Sequence, residues 1–242
     1  MIAAMWAFAA IISGQAVTAA VPSLASADHC SQSDPPAASH TGMSQPEREQ
    51  NTESLLTRLL QQRNQHPEAA AAIDQHIQAV FGQTLAVMVL DAVGFSRRSQ
   101  QSGIIAALAE IQQLQAIALP VIETAGGSVF KLEADNIYAS FPNAETAVGA
   151  AQTLIATLSE ADLHVSIGIG YGNMLVVAET DIFGEELNLA SKLGEDLAGR
   201  DEILLTEAAF CSLPPHSLRT DILMMETSGL RLRTYRLLPP LP

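Results

Sequence analysis

A strand-length apolar run, TLAVMVLD at residues 84–91, leads into one long amphipathic segment, GIIAALAEIQQLQAIALPVIETAGG at 103–127. Two short strands joined by a tight Glu-Ala-Asp-Asn turn follow at once, in GGSVFKLEADNIYASF at 126–141. A strand, a long helix and then a hairpin is an order that few folds accept. A helical pattern at about 143–159 comes next, then the stretch LHVSIGIGYGNMLVVAE, which reads as a second hairpin turning at Gly172 and Asn173. The succession β, α, β, β, α, β is that of a ferredoxin-like split unit. A helix at about 184–199, a strand EILLT and a terminal strand pair ending LRLRTYRLL extend it. The expected fold is α+β, a ferredoxin-like βαββαβ core with a C-terminal extension, over residues 84–242.

Two segments precede this domain. Residues 43–83 carry short helical patterns at 52–63 and 67–80, the second opened by Pro67 and Glu68 in the manner of a first turn. Residues 1–42 are an apolar leader and a polar linker, and SLASAD within them offers an Ala-x-Ala site like that of a secretory signal. No Lys or Arg precedes Arg48, however, so the charged start of a signal and the positive flank of an anchor are both missing. Gly14, Gln15 and Thr18 also interrupt the apolar run below spanning length. The leader is expected to be signal-like or to lie upstream of a true start at Met43. A cytoplasmic protein without membrane association is the first expectation, with export or membrane tethering the alternative.

Charge narrows the partners. The chain sets 12 cationic residues against 26 acidic ones, a net charge of −14, and a nucleic-acid partner needs the opposite balance. A small phosphorylated ligand held through a metal stays open. Among the cations only Lys131 and Lys192 are lysines, so each asks for a reason.

Asp91 ends the first strand, directly before the turn AVGFS that carries Gly94 and Phe95, where backbone N–H groups entering a helix can meet phosphate oxygens. Asp135 lies in the hairpin turn. Two carboxylates converging from adjacent strands suit a hard divalent cation, although either alone is as readily a cap or a turn former. Asp181, Asn188 and Lys192 follow. The last two stand at i and i+4 and so share a helix face, where Lys192 could equally pair with one of the neighbouring acids.

In this order and at these spacings, LDAVGFS, FKLEADNIYASF, IGIGYG and DIFGEELNLASKLGED resemble the catalytic domain of class III nucleotide cyclases, from about Thr84 to Leu238. The resemblance implies that Asp91 and Asp135 bind two metal ions, Mg2+ or Mn2+. It implies that Lys131 and Asp181 read the purine, that Gly94 and Phe95 lie in the substrate-binding turn, and that Asn188 and Lys192 act on the transition state. It also implies a head-to-tail homodimer with two shared sites, one chain giving the metal aspartates and the other the purine and transition-state residues. The chemistry of the base agrees. The adenine edge presents an acceptor, N1, beside a donor, the 6-amino group, and lysine only donates while aspartate only accepts. Guanine presents the reverse, which makes ATP the expected substrate and cyclic AMP with pyrophosphate the expected products.

Two positions depart from the family. Lys192 stands where an arginine usually holds the transferring phosphate, and a point charge replaces a planar fork. Ala134 stands where the turn usually has glycine; if that position needs a positive φ, its methyl group costs ~1 kcal/mol. A silent or weak cyclase-homology domain that binds nucleotide and regulates something else is the alternative reading.

Overall fold

The computed structural model describes residues 51–178, 181–215, 218–227 and 230–239. The leader and residues 43–50 lie outside them. Helix α1 (Glu53–Gln65) is capped by the Thr52 hydroxyl, which accepts from the Leu55 N–H. A 3-10 turn at Pro67–Ala69 leads to α2 (Ala70–Phe81). Leu55, Leu56 and Leu59 of α1 close on Ile77 and Phe81 of α2, and Val177 completes the cluster. These helices match the two short patterns read before residue 84.

The sheet begins with β1 (Gly82–Ala92). A left-handed Gly94 turns the chain into α3 (Phe95–Ser102), and Gly103 separates that from α4 (Ile104–Thr124). By length and composition α4 could cross a membrane, but Ala107, Ile111, Leu114, Ala118 and Ile122 are buried along one stripe of it. Gly126, at φ 78°, closes its end. Strands β2 (Ser128–Glu133) and β3 (Asn136–Phe141) form the hairpin, and α5 (Ala144–Glu160) follows, capped by the Asn143 side chain. Then come β4 (Val165–Val177), β5 (Asp181–Phe183) and α6 (Glu185–Ser191), which continues as a π-turn over Lys192–Leu197. The chain ends with β6 (Ile203–Thr206), α7 (Glu207–Cys211), β7 (Thr220–Thr227) and β8 (Leu230–Leu237).

The strand order is β2-β3-β1-β4-β6-β8-β7, with β5 paired to β4. β1 is antiparallel to both β3 and β4, which is the split βαββαβ arrangement expected, and β6, β8 and β7 are its extension. Alternation along β1 sorts the two faces. Ala86, Met88 and Leu90 enter the main core with residues of α4 and α5. Leu85, Val87 and Val89 enter a smaller core with Met174, Val176, Ile182 and Ala190. Asp91 continues the second series, so the acid falls on the side away from the two long helices.

One expectation is corrected. LHVSIGIGYGNMLVVAE does not turn at Gly172 and Asn173; it is one strand of 13 residues. Gly172 lies opposite Leu85 and Asn173 opposite Thr84, within an unbroken register from Gly82↔Leu175 to Ala92↔Val165. The glycines serve close packing instead. A Cβ at Gly168 would lie 2.0 Å from the Ala190 carbonyl oxygen, and one at Gly170 would lie 2.4 Å from that of Glu186. Glycine on alternate residues lets α6 rest on the β4 backbone, and the returning strand is β5, where Val177 pairs with Asp181. The helix read at 184–199 likewise changes character after Ser191, and α7 had no counterpart in the sequence reading.

Candidate functional site

Asp91 is flanked by Asn136 on β3 and Ser166 on β4, its register partners on either side. Asp135 sits in the two-residue link between Glu133 and Asn136, close enough for its charge to act on Asp91. Burial pushes the Asp91 carboxyl up to about 7, the charges of Asp135, Glu195 and Asp196 push the same way, and a hydrogen bond with Ser166 opposes them. A strand end has thus gathered negative charge that a cation would stabilise. Among the described residues no cluster of three or more His, Cys, Asp or Glu side chains is arranged to hold a metal. The donor set is a carboxylate pair, which suits an ion whose remaining ligands are water and substrate phosphate.

The turn beside it bends at a glycine. Gly94 takes φ 86°, and the N–H groups that open α3 at Phe95 have no side-chain cap. An ion pair between Arg98 and Glu110 ties α3 to α4. Across the hairpin, Ala134 adopts φ 51°, the left-handed conformation in which a Cβ is strained.

The second group of residues lies on β2, β5 and α6. Lys131 Nζ sits 2.6 Å from Glu133 Oε2 and 5.3 Å from the centroid of the Tyr138 ring. Asp181 opens β5, which touches β2, and its Oδ1 accepts from the Ile182 N–H at 3.0 Å. Asn188 is exposed on α6. The Lys192 N–H donates to the Asn188 carbonyl, so the i, i+4 relation survives the change of helix type. Lys192 Nζ meets Asp196 Oδ2 at 3.0 Å, the neighbouring-acid pairing that the sequence left open.

Sequence reasoning missed Tyr138 and Glu195. The Tyr138 hydroxyl donates to Glu195 Oε1 at 3.0 Å, bridging β3 and the π-turn. Burial, then the Glu195 charge, hold the phenol above its usual range, and burial is the main influence raising the Glu195 carboxyl. The available signal was Tyr138 on the outward-alternating face of a strand whose other residues there, Asn136 and Ser140, are small and polar.

No protein-family model matches the sequence, and no curated protein matches it. Solved structures do. The adenylyl cyclase CyaB from P. aeruginosa superposes with a TM-score of 0.59 at 19% identity, covering 66% of this chain and 96% of that one. The fold is that of a class III nucleotide cyclase catalytic domain. An adenylate/guanylate cyclase/hydrolase from Silicibacter pomeroyi gives 0.56 at 20% identity, over 66% of this chain and 99% of that one. The guanylate cyclase domain of RhGC from Catenaria anguillulae, in complex with GTP, gives 0.57 at 17% identity, over 64% and 96%. Cyclases named for either base share the fold, so the fold by itself sets no preference between adenine and guanine.

Proposed function

We propose that the protein is an adenylate cyclase, converting ATP to 3′,5′-cyclic AMP and pyrophosphate at sites shared by a head-to-tail homodimer. The observation that carries the reading is the carboxylate pair of Asp91 and Asp135 at the open end of β1, on a cyclase fold, with the Asp91 carboxyl pushed up to about 7. These two residues would hold two Mg2+ or Mn2+ ions. Held there, they would supply Lewis-acid chemistry that eases ionisation of the ribose 3′ hydroxyl and offsets negative charge.

The chain's own groups do the rest. Lys131 donates to adenine N1 and Asp181 accepts from the 6-amino group, and GTP would leave both facing a like partner. The N–H groups at Gly94 and Phe95 hold phosphate oxygens. Asn188 orients the reacting ribose and phosphate, and Lys192 meets the negative charge that builds as the 3′ oxygen bonds to the α-phosphorus and the bond to pyrophosphate breaks. A substrate of this kind fits a cytoplasmic protein. The alternative, a nucleotide-binding domain with little or no turnover, draws on the engagement of Lys192 by Asp196 and on the strained Ala134.

Incubating the purified protein with ATP or GTP, with Mg2+ or Mn2+, and identifying the product decides between them. Cyclic AMP in excess of cyclic GMP is expected. Absence of any cyclic nucleotide under all four conditions favours the silent domain.

A further inference from the structure

Tyr138 touches both functional lysines' surroundings, and neither contact is needed to build the sheet. It faces away from the main core, with its ring against the smaller one, 6.2 Å from Phe130 at a tilt of 54°. Its register partner on β2 is Lys131, whose ammonium lies over the ring at 5.3 Å. Its hydroxyl reaches the other way, to Glu195 in the π-turn that begins at Lys192.

We propose that Tyr138 is a positioning residue of the nucleotide site, steadying the base-reading Lys131 with its ring and the turn that carries Lys192 with its hydroxyl. The inference rests on the cyclase reading, in which both lysines act from one chain on one substrate. Counting hydrogens shows what the ring does. The ammonium has three donors, and Glu133 takes one at 2.6 Å. An aromatic face attracts the cation without accepting in the plane of a base edge, so two donors remain for adenine. An acid or amide at residue 138 would take another.

The hydroxyl works on the π-turn. Adjacent acids of this turn point to different partners, Glu195 to Tyr138 and Asp196 to Lys192. A π-turn is a wide, poorly bonded piece of helix, and a side-chain bond to a neighbouring strand fixes how it is seated. Tyr138 therefore anchors one end of a short path, Tyr138–Glu195–Asp196–Lys192, whose other end is the cation facing the phosphate. Burial and the Glu195 charge keep the phenol protonated and able to donate.

Three variants separate the two contacts: Tyr138→Phe, Tyr138→Leu and Glu195→Ala, each assayed for turnover and for equilibrium binding of ATP and GTP. Tyr138→Phe keeps the ring, so kcat should fall about tenfold while KM and the preference for ATP stay within about twofold. Tyr138→Leu should lose the same kcat and, in addition, about three- to fivefold of the ATP preference, the size of an exposed cation–π contact. Glu195→Ala combined with Tyr138→Phe should cost no more than the larger single loss, because the two share one bond. A purely structural tyrosine would instead lower kcat and raise KM in parallel with Tm, leaving the base preference alone. An ATP-to-GTP binding ratio unmoved by Tyr138→Leu, or additive losses in the double variant, overturns the inference. A wild-type protein that binds ATP selectively yet forms no cyclic product overturns the cyclase reading instead, and the binding ratios still judge the ring contact.

Discussion

The two groups of candidate site residues in this chain are built on opposite electrostatic plans. Around Asp91, acids accumulate: Asp135, Glu195 and Asp196 all act on one half-buried carboxyl, and a hydrogen bond with Ser166 opposes them. Around Lys131 and Lys192, each cation already has its acid, Glu133 for one and Asp196 for the other. The first region is incomplete without positive charge, and the second is balanced without a ligand. Asp196 belongs to both, acting on Asp91 and holding Lys192 at 3.0 Å, so the two regions border each other within one chain. In the proposed dimer the metal-holding acids of one chain face the lysines of the other.

The sharpest way to break the comparison is at the acids. On the proposed reading, Asp91→Asn or Asp135→Asn should lower turnover by at least about 10³-fold, since each would remove a charged ligand from an ion facing a triphosphate. Asp91→Asn should also make the fold more stable, which an ordinary core residue would not do. A carboxyl whose folded pKa is raised from 3.8 to about 7 contributes its stability below the unfolded value and loses it as pH rises through the folded one. At pH 8 the wild type has lost that contribution in full. Asparagine removes the penalty, a gain of ~1–2 kcal/mol once solvent screening of a half-buried group is allowed for. Thermal melts of the metal-free proteins at pH 4 and pH 8 should show wild type falling behind the variant only at the higher pH. Equal melting at both would show that Asp91 is not electrostatically burdened.

At the lysines the expected effects are smaller. Lys192→Ala should reduce kcat by ~10²- to 10³-fold with little change in KM, because an interaction made only in the transition state acts on kcat alone. Steady-state kinetics in which KM rises and kcat holds would move Lys192 to ground-state binding. Next comes the base. Lys131→Glu with Asp181→Cys exchanges a donor for an acceptor and deletes the other acceptor, so the ratio of ATP to GTP use should fall, by ~10-fold or more. An unchanged ratio would show that these residues do not read the purine. The smallest effect lies in the turn. Ala134→Gly relieves a left-handed alanine and should raise stability by ~1 kcal/mol, or about 2–4 °C in Tm, with turnover held or improved; a loss of stability would mean that the φ of 51° carries no strain.

Much of the fold was legible because its signals are local. An apolar run, a long amphipathic segment and a hairpin with a tight turn named β1, α4, β2 and β3 in their order. Gly172 and Asn173 misled because glycine serves both turns and close packing, and only the sheet reveals which; the use of Gly168 and Gly170 under α6 depends on residues roughly twenty positions away. The π-turn at Lys192–Leu197 gave no warning, since Glu195 and Asp196 read as acids on a solvated helix face. Asp91, Asp135, Lys131, Asp181, Asn188 and Lys192 were named as candidates through the resemblance of their motifs to class III nucleotide cyclases. Tyr138 could not, because its partner Glu195 lies 57 residues away and no local period links them.

The account turns on the division of labour between two chains, and subunit mixing tests that directly. Asp91→Asn and Lys192→Ala homodimers are each expected to be inactive or nearly so, for different reasons. In a mixed dimer one site inherits both defects and the other inherits neither. With equal amounts and free exchange, half the dimers are mixed and half of their sites work, so activity should recover to about a quarter of wild type in a twofold-symmetric assembly. Recovery to that level supports head-to-tail sites with the acids and the lysines in trans. No recovery, with subunit exchange confirmed by differently tagged chains, would contradict it.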